Sequence, residues 1–195
     1  MTPLVYFVRH GETDWNADGR LQGQADTDIN ALGRRQADRN GRRLAGLIAD
    51  ASAFDFVASP MRRTRETMER VRRAMGLDPD GYRLEPRLVE VHFGDWQGRT
   101  FAEIEAEQPG STKARRRDKW NFRPPGAAGE SYAMLKVRAM PWLSEVTRPT
   151  VCVTHGGVLR VLFRAVAGWS ERESAAMAVP QDRILRLEAG RLDWL

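Results

Sequence analysis

What the chain has little of narrows its chemistry first. Among 195 residues there is one cysteine, Cys152, and there are three histidines, His10, His92 and His155. A single thiol cannot close an intrachain disulfide, and no Cys/His/carboxylate group has the spacing of a zinc site, so no metal is expected. No apolar run approaches the roughly 20 residues that a membrane helix needs. The opening "MTPLVYFV" has neither the basic stretch nor the small-residue cleavage site of a secretory signal. Internal repeats, low-complexity tracts and long Gly/Ser or Pro linkers are also missing. The nearest candidate, "NFRPPGAAGES" at 121–131, reads as a loop. These absences predict a single domain over 1–195, without a membrane partner, in a reducing cytoplasm. They say nothing of oligomeric state.

What the chain has is positive charge. The formal net charge is +5 and the pI about 10.0. That balance favours anionic partners: phosphorylated metabolites, nucleic acid or acidic surfaces. The arginines concentrate in "MRRTRETMERVRR" (61–73) and "KARRRDKW" (113–120), which read mostly as solvated helix faces. No aromatic-interleaved basic patch or known nucleic-acid motif accompanies them, so nucleic acid is not expected.

Strand and helix patterns alternate. "LVYFV" (4–8), "FDFVAS" (54–59) and "TVCVT" (150–154) are short continuous apolar runs, the pattern of strands buried on both faces. Helical spacing covers 31–49 behind Asn30 as N-cap, and a basic helix covers 61–75, stopped by Gly76. A further helix runs to about 108 behind the Thr100/Glu103 capping box. Residues 157–167 are helical, stopped by Gly168. Residues 130–147 are also helical, but Pro141 should kink or split them. The chain closes with a hairpin across Ala189–Gly190. This alternation predicts an α/β fold, a three-layer α/β/α sandwich with a mainly parallel central sheet, whose ligands bind beyond the carboxyl ends of the strands.

That rule gives the motifs their meaning. Arg9-His10-Gly11 follows the first strand, Ser59-Pro60 with Arg62-Arg63 the second, and His155-Gly156-Gly157 a late one. All three can face one crevice. Histidines and arginines gathered there describe an anion site, since guanidinium offers planar donors matched to phosphate oxygens. Without a metal, phosphate chemistry needs another nucleophile, and neutral imidazole is a good one. Neighbouring positive charge should keep His10 neutral near pH 7, and Gly11 lets the backbone come close to a ligand. In "LVEVHFGDWQG" (88–98), Glu90 is placed to protonate a leaving oxygen, while His92 reads as a loop histidine.

In order along the chain, "FVRHGETDWN", "RLQGQADTDINALGRRQA", "ASPMRRTRET", "LVEVHFGDWQG", "FRPPGAAGES" and "VTHGGVLR" together resemble the histidine phosphatase superfamily, which includes the cofactor-dependent phosphoglycerate mutases. The resemblance implies the phosphoglycerate mutase-like fold and roles at matching positions. His10 corresponds to a phosphohistidine nucleophile and Glu90 to the proton donor. Arg9, Arg63 and His155 correspond to residues that hold the phosphoryl group, Arg63 being preferred to Arg62 by the pattern Ser-Pro, two variable residues, then Arg. Asn16, Gln22, Gly23 and Gly156 match positions lining the phosphate pocket. Two features depart from the family pattern: Asn30 stands where threonine is frequent, and "PPGAAGES" carries two extra residues.

The expected activity is that of a phosphomonoesterase acting on phosphorylated small molecules, with no cofactor. Mutases of this type are usually longer and cover the site with an inserted segment, for which 195 residues leave little room. Mutase-type transfer and a non-catalytic phospho-ligand binding module are the alternative readings.

Overall fold

The computed structural model describes residues 2–195. In chain order the elements are β1 (Val5–Arg9), α1 (Asp14–Ala17), α2 (Ala31–Leu47), β2 (Asp55–Ala58), α3 (Arg62–Ala74), β3 (Arg83–Leu84), α4 (Phe101–Glu107), α5 (Ser111–Arg117), α6 (Tyr132–Glu145), β4 (Thr150–Thr154), α7 (Gly156–Val166), α8 (Glu171–Ala176), β5 (Ile184–Glu188) and β6 (Arg191–Trp194). One six-stranded sheet runs in the order β3-β2-β4-β1-β5-β6. The first four of these are parallel to one another, and β5 and β6 form an antiparallel hairpin on the far edge.

The apolar runs are strands buried on both faces, and alternate side chains serve two cores. Tyr6, Val8, Phe56, Ala58, Val151 and Val153 pack with Leu44 of α2 and Met68 and Val71 of α3. Val5, Phe7, Val57 and Cys152 pack with Leu135 and Trp142 of α6 and Leu159 and Leu162 of α7. The result is an α/β/α sandwich with a mainly parallel sheet. Burial pushes the Cys152 thiol up, so this lone cysteine is a core side chain rather than a nucleophile.

Asn30 caps α2, its side chain accepting from Gly33 N–H, and Thr100 with Glu103 closes a capping box on α4. Ala189 and Gly190 turn the final hairpin with φ of 48° and 76°, the left-handed pair that a two-residue turn requires. Of the two outcomes expected over 130–147, the split does not occur: α6 runs without interruption through Pro141. Pro141 has no N–H to donate to Val137 O, but Val137 is 75% exposed, so water can satisfy that carbonyl, while Trp142 and Leu143 anchor the last turn in the core. On the basic helix α3, Arg62, Arg65 and Arg73 are solvated, while Arg63, expected at the site, and Arg72 are buried.

Candidate active site

The sheet order brings the motifs together. β1 and β4 are parallel neighbours with Arg9 opposite Thr154, so the next residues, His10 and His155, emerge side by side. His10 N–H donates to Thr154 O (2.9 Å), and the two imidazole centroids lie 5.2 Å apart. β2 flanks β4 on its other side. There Ser59 N–H donates to Val153 O (3.0 Å), and Ser59 Oγ sits 2.8 Å from His155 Nε2. α3 starts directly afterwards and delivers Arg63.

His10 is 3% exposed. Its Nδ1 lies 2.8 Å from Gly11 O, and a carbonyl can only accept. Nδ1 therefore carries the hydrogen and Nε2 keeps its lone pair. Burial, then the charges of Arg63 and Arg9, hold His10 well below the usual imidazole range, against the raising effect of the Gly11 bond. Burial and the same arginines do likewise to His155. Both rings are neutral at neutral pH. Gly11 has a packing role: a Cβ there would lie 2.4 Å from Gly33 O, so the two glycines let α2 butt against the loop after β1. Gly11 N–H donates to Thr67 Oγ1 (3.0 Å), which donates in turn to Arg63 O (2.7 Å), tying that loop to α3.

A cavity of about 130 Å³ opens at these strand ends, and Arg9, His10, Asn16, Gln22, Gly23, Arg63, Glu90 and Gly156 line it. His155 is completely buried beside His10, and its Nδ1 has no partner among the described residues. Arg63 has no exposure at all. Its Nη1 and Nη2 donate to Ala25 O (2.8 Å) and Gly23 O (2.7 Å), and its Nε is buried without a partner. Arg9 donates from Nη1 to Val179 O (2.6 Å), and its Nε is likewise buried and unpartnered. Burial lowers both guanidinium groups to about 10, which leaves them charged at neutral pH. Neither forms an ion pair with a carboxylate among the described residues. Arg62 points elsewhere, to Asp28 (3.0 Å) at the surface. Buried cations with unused donors are costly unless an anion joins them.

One carboxylate shares the cavity. Glu90 accepts from Val91 N–H at Oε1 (2.9 Å) and from Gly157 N–H, in the first turn of α7, at Oε2 (3.0 Å). Each oxygen keeps a lone pair clear of these donors. Its backbone is braced as well. Gln24 Nε2 donates to Glu90 O (3.0 Å), while Arg138, paired with Glu130 (2.9 Å), donates to Val89 O (3.1 Å) and Glu90 O (3.3 Å). Glu130 belongs to the "PPGAAGES" loop, so that loop supports the position of Glu90. His92 is a loop histidine, its Nδ1 accepting from Gly94 N–H (2.9 Å).

Sequence reading missed Arg20, Leu21, Phe93, Tyr132 and Arg160, which complete the lining. Arg160 lies one helical turn beyond Gly156 on α7, a spacing that could have identified it. Arg20 is held by Glu103 (2.9 Å), a contact with no local sequence signal. Beside Tyr132 and Phe93 stand two more cations. Lys119 Nζ lies 5.8 Å from the Tyr132 ring centre, and the Arg115 guanidinium 6.0 Å from that of Phe93. Burial, then the charges of Arg160 and Arg115, bring Lys119 down to about 7. None of Arg115, Lys119 and Arg160 pairs with a carboxylate among the described residues.

Comparison with known proteins gives a consistent result. The family model described as histidine phosphatase superfamily (branch 1) matches residues 5–194. The chain is 36% identical over 183 residues to the glucosyl-3-phosphoglycerate phosphatase of Mycobacterium tuberculosis, covering 85% of this chain and 78% of the relative. It is 32% identical over 195 residues to a probable phosphoglycerate mutase of Erwinia tasmaniensis, covering 98% and 87%. Among solved structures, a mycobacterial glucosyl-3-phosphoglycerate phosphatase in complex with VO3 superposes with a TM-score of 0.81 at 30% identity, over 99% of this chain and 96% of that one.

Proposed function

Because the chain belongs to the histidine phosphatase superfamily and is a phosphoric monoester hydrolase, we propose that it hydrolyses small phosphomonoesters through a covalent phosphohistidine on His10. The observation that carries this reading is the state of His10: buried, neutral, its Nδ1 hydrogen occupied by Gly11 O, its Nε2 lone pair free, and two buried guanidinium groups beside it.

The substrate phosphoryl group docks among Arg9, Arg63, His155, Asn16 and the cavity backbone at Gly23 and Gly156. His10 Nε2 attacks phosphorus in line as the bond to the ester oxygen breaks. Glu90, protonated on a lone pair not used by the backbone donors, hands its proton to the leaving alcohol. The arginines stabilise charge on the three equatorial oxygens throughout. Glu90, now a carboxylate, takes a proton from water. The hydroxyl oxygen attacks phosphorus, the N–P bond breaks, and inorganic phosphate leaves with His10 restored as neutral imidazole. Arginine charge fills the place that a metal takes in other phosphatases.

The cations Arg115, Lys119 and Arg160 around Tyr132 and Phe93 support a narrower substrate class: phosphomonoesters that carry a second anionic group. Both relatives are named for phosphoglycerates, which have a carboxylate close to the phosphate. The test is a panel of phosphorylated metabolites with chelator present, scored both for released phosphate and for isomerised ester. The reading expects phosphate release, fastest with carboxylate-bearing esters. The name of the second relative favours mutase transfer as the other reading, and an isomerised ester without free phosphate would establish it. Activity lost to chelator and restored by magnesium or zinc would overturn the mechanism.

A further inference from the structure

The segment that leads into β5 contains no sequence motif, yet it holds three residues of the site. Val179 O accepts from Arg9 Nη1 (2.6 Å). Gln181 Nε2 donates to His10 O (3.1 Å) and to Asn16 Oδ1 (3.0 Å). Gln181 is itself tied down, because its own carbonyl accepts from Asn40 Nδ2 (3.1 Å), a buried residue of α2.

Asn16, like Gln22, has a choice that the charged and apolar lining residues lack. Its terminal amide can turn either end to the cavity. Nδ2 would offer hydrogens to an oxyanion, and Oδ1 would oppose it with lone pairs. Oδ1 accepts from Thr13 N–H (3.3 Å) and from Gln181 Nε2 (3.0 Å). A carbonyl oxygen has two lone pairs, so both are used. The Thr13 bond is long and weak on its own, which makes the Gln181 bond the stronger constraint. Nδ2 then has no acceptor among the described residues, and it belongs to a residue that lines the cavity.

We propose that Gln181 is a positioning residue that fixes the Asn16 amide with its Nδ2 hydrogens turned to the reacting phosphoryl group. This rests on the reading of the cavity as a phosphate site. Gln181 touches no substrate; it acts through Asn16.

The decisive comparison is Gln181→Met, which keeps length and volume and removes both N–H groups, made in the native chain and again in Asn16→Ala. One hydrogen bond's worth of orientation predicts roughly a tenfold fall in kcat/KM in the native background. Inorganic phosphate affinity, measured by calorimetry, should fall to match. In the Asn16→Ala background the same substitution should change either quantity less than twofold. Equal losses in both backgrounds, or no loss in the native one, overturn the proposal while leaving the phosphate site intact. If the native chain fails to bind phosphate, or Asn16→Ala binds it unimpaired, the phosphate-site reading itself falls. Should Gln181→Met not fold, NMR of the native protein replaces it: the Asn16 side-chain amide protons should move downfield on adding phosphate, and unmoved protons overturn the proposal.

Discussion

Gly157→Ala places the sharpest demand on the role of Glu90. A Cβ built on Gly157 would lie 2.1 Å from Glu90 Oε1 and 3.1 Å from Leu135 Cδ2, where ordinary contact begins at 3.4 Å. Leu135 can yield a few tenths of an ångström, but the carboxylate must retreat by more than one, and its 3.0 Å bond from Gly157 N–H goes with it. Misplacing a reacting group by about 1 Å costs on the order of 10²-fold, the lower end of what general acid catalysis contributes. The expected fall in kcat/KM with an alkyl phosphate is therefore about 10²-fold, roughly 2.7 kcal/mol. p-Nitrophenolate leaves without protonation, so the pre-steady-state burst from p-nitrophenyl phosphate should slow less than tenfold. Phosphoenzyme should then accumulate, because the displaced carboxylate also serves as base in the second step. Gly157→Ala added to Glu90→Ala should make the single variant no worse, since both remove one function. Stopped-flow bursts with the two leaving groups, on variants whose thermal unfolding is unchanged, read all of this. Equal burst losses for both leaving groups, or a full second penalty in the double variant, would refute the assignment of Glu90 as the acid.

Two further outcomes follow from the buried charges. Arg63→Ala should lower kcat/KM by about 10²- to 10³-fold, as loss of one preorganised donor does. Arg62→Ala, which loses only the surface pair with Asp28, should stay within about twofold; steady-state kinetics reporting the reverse would misplace the pocket arginine. The second outcome concerns acid. His10 and His155 have folded pKa values below the unfolded value of about 6.5, so the unfolded chain binds protons first. Their contribution to stability is complete above pH 6.5 and is lost as the pH falls toward the folded values, by up to about 1.4 kcal/mol per pH unit for each ring. Urea titrations of phosphate-free protein should show this slope, and His10→Gln with His155→Gln should flatten it; an unchanged slope in the double variant would contradict the buried neutral state.

The sequence was most legible where local chemistry decided the outcome. "LVYFV" and "TVCVT" read as doubly buried strands because parallel neighbours leave no polar face, and Asn30 and Thr100 read as caps because a short oxygen-bearing side chain must satisfy the first turn. Once the strands were placed, their ends set His10, the Arg62-Arg63 pair and His155 at one crevice, while Glu90 came from the motif "LVEVHFGDWQG" and the choice of Arg63 from the family resemblance. Pro141 does not split its helix because a helix can lose one hydrogen bond when the freed carbonyl lies at an exposed residue, and exposure is a property of the assembled molecule. The packing of Gly11 against Gly33 gave no local signal, because the two lie more than twenty residues apart. Arg20, Tyr132 and Gln181 gave no signal because their partners are distant in the chain: Glu103 for Arg20, Arg160 for Tyr132, and His10 and Asn16 for Gln181.

The central claim is that phosphate is carried on His10. Rapid quenching of the protein with ³²P-labelled substrate, followed by peptide mapping, tests it directly. The account predicts label on the peptide containing His10, labile in acid and stable in alkali as a phosphoramidate is, and abolished together with turnover in His10→Ala. Label that survives acid, or that maps to a serine or an aspartate, would contradict it.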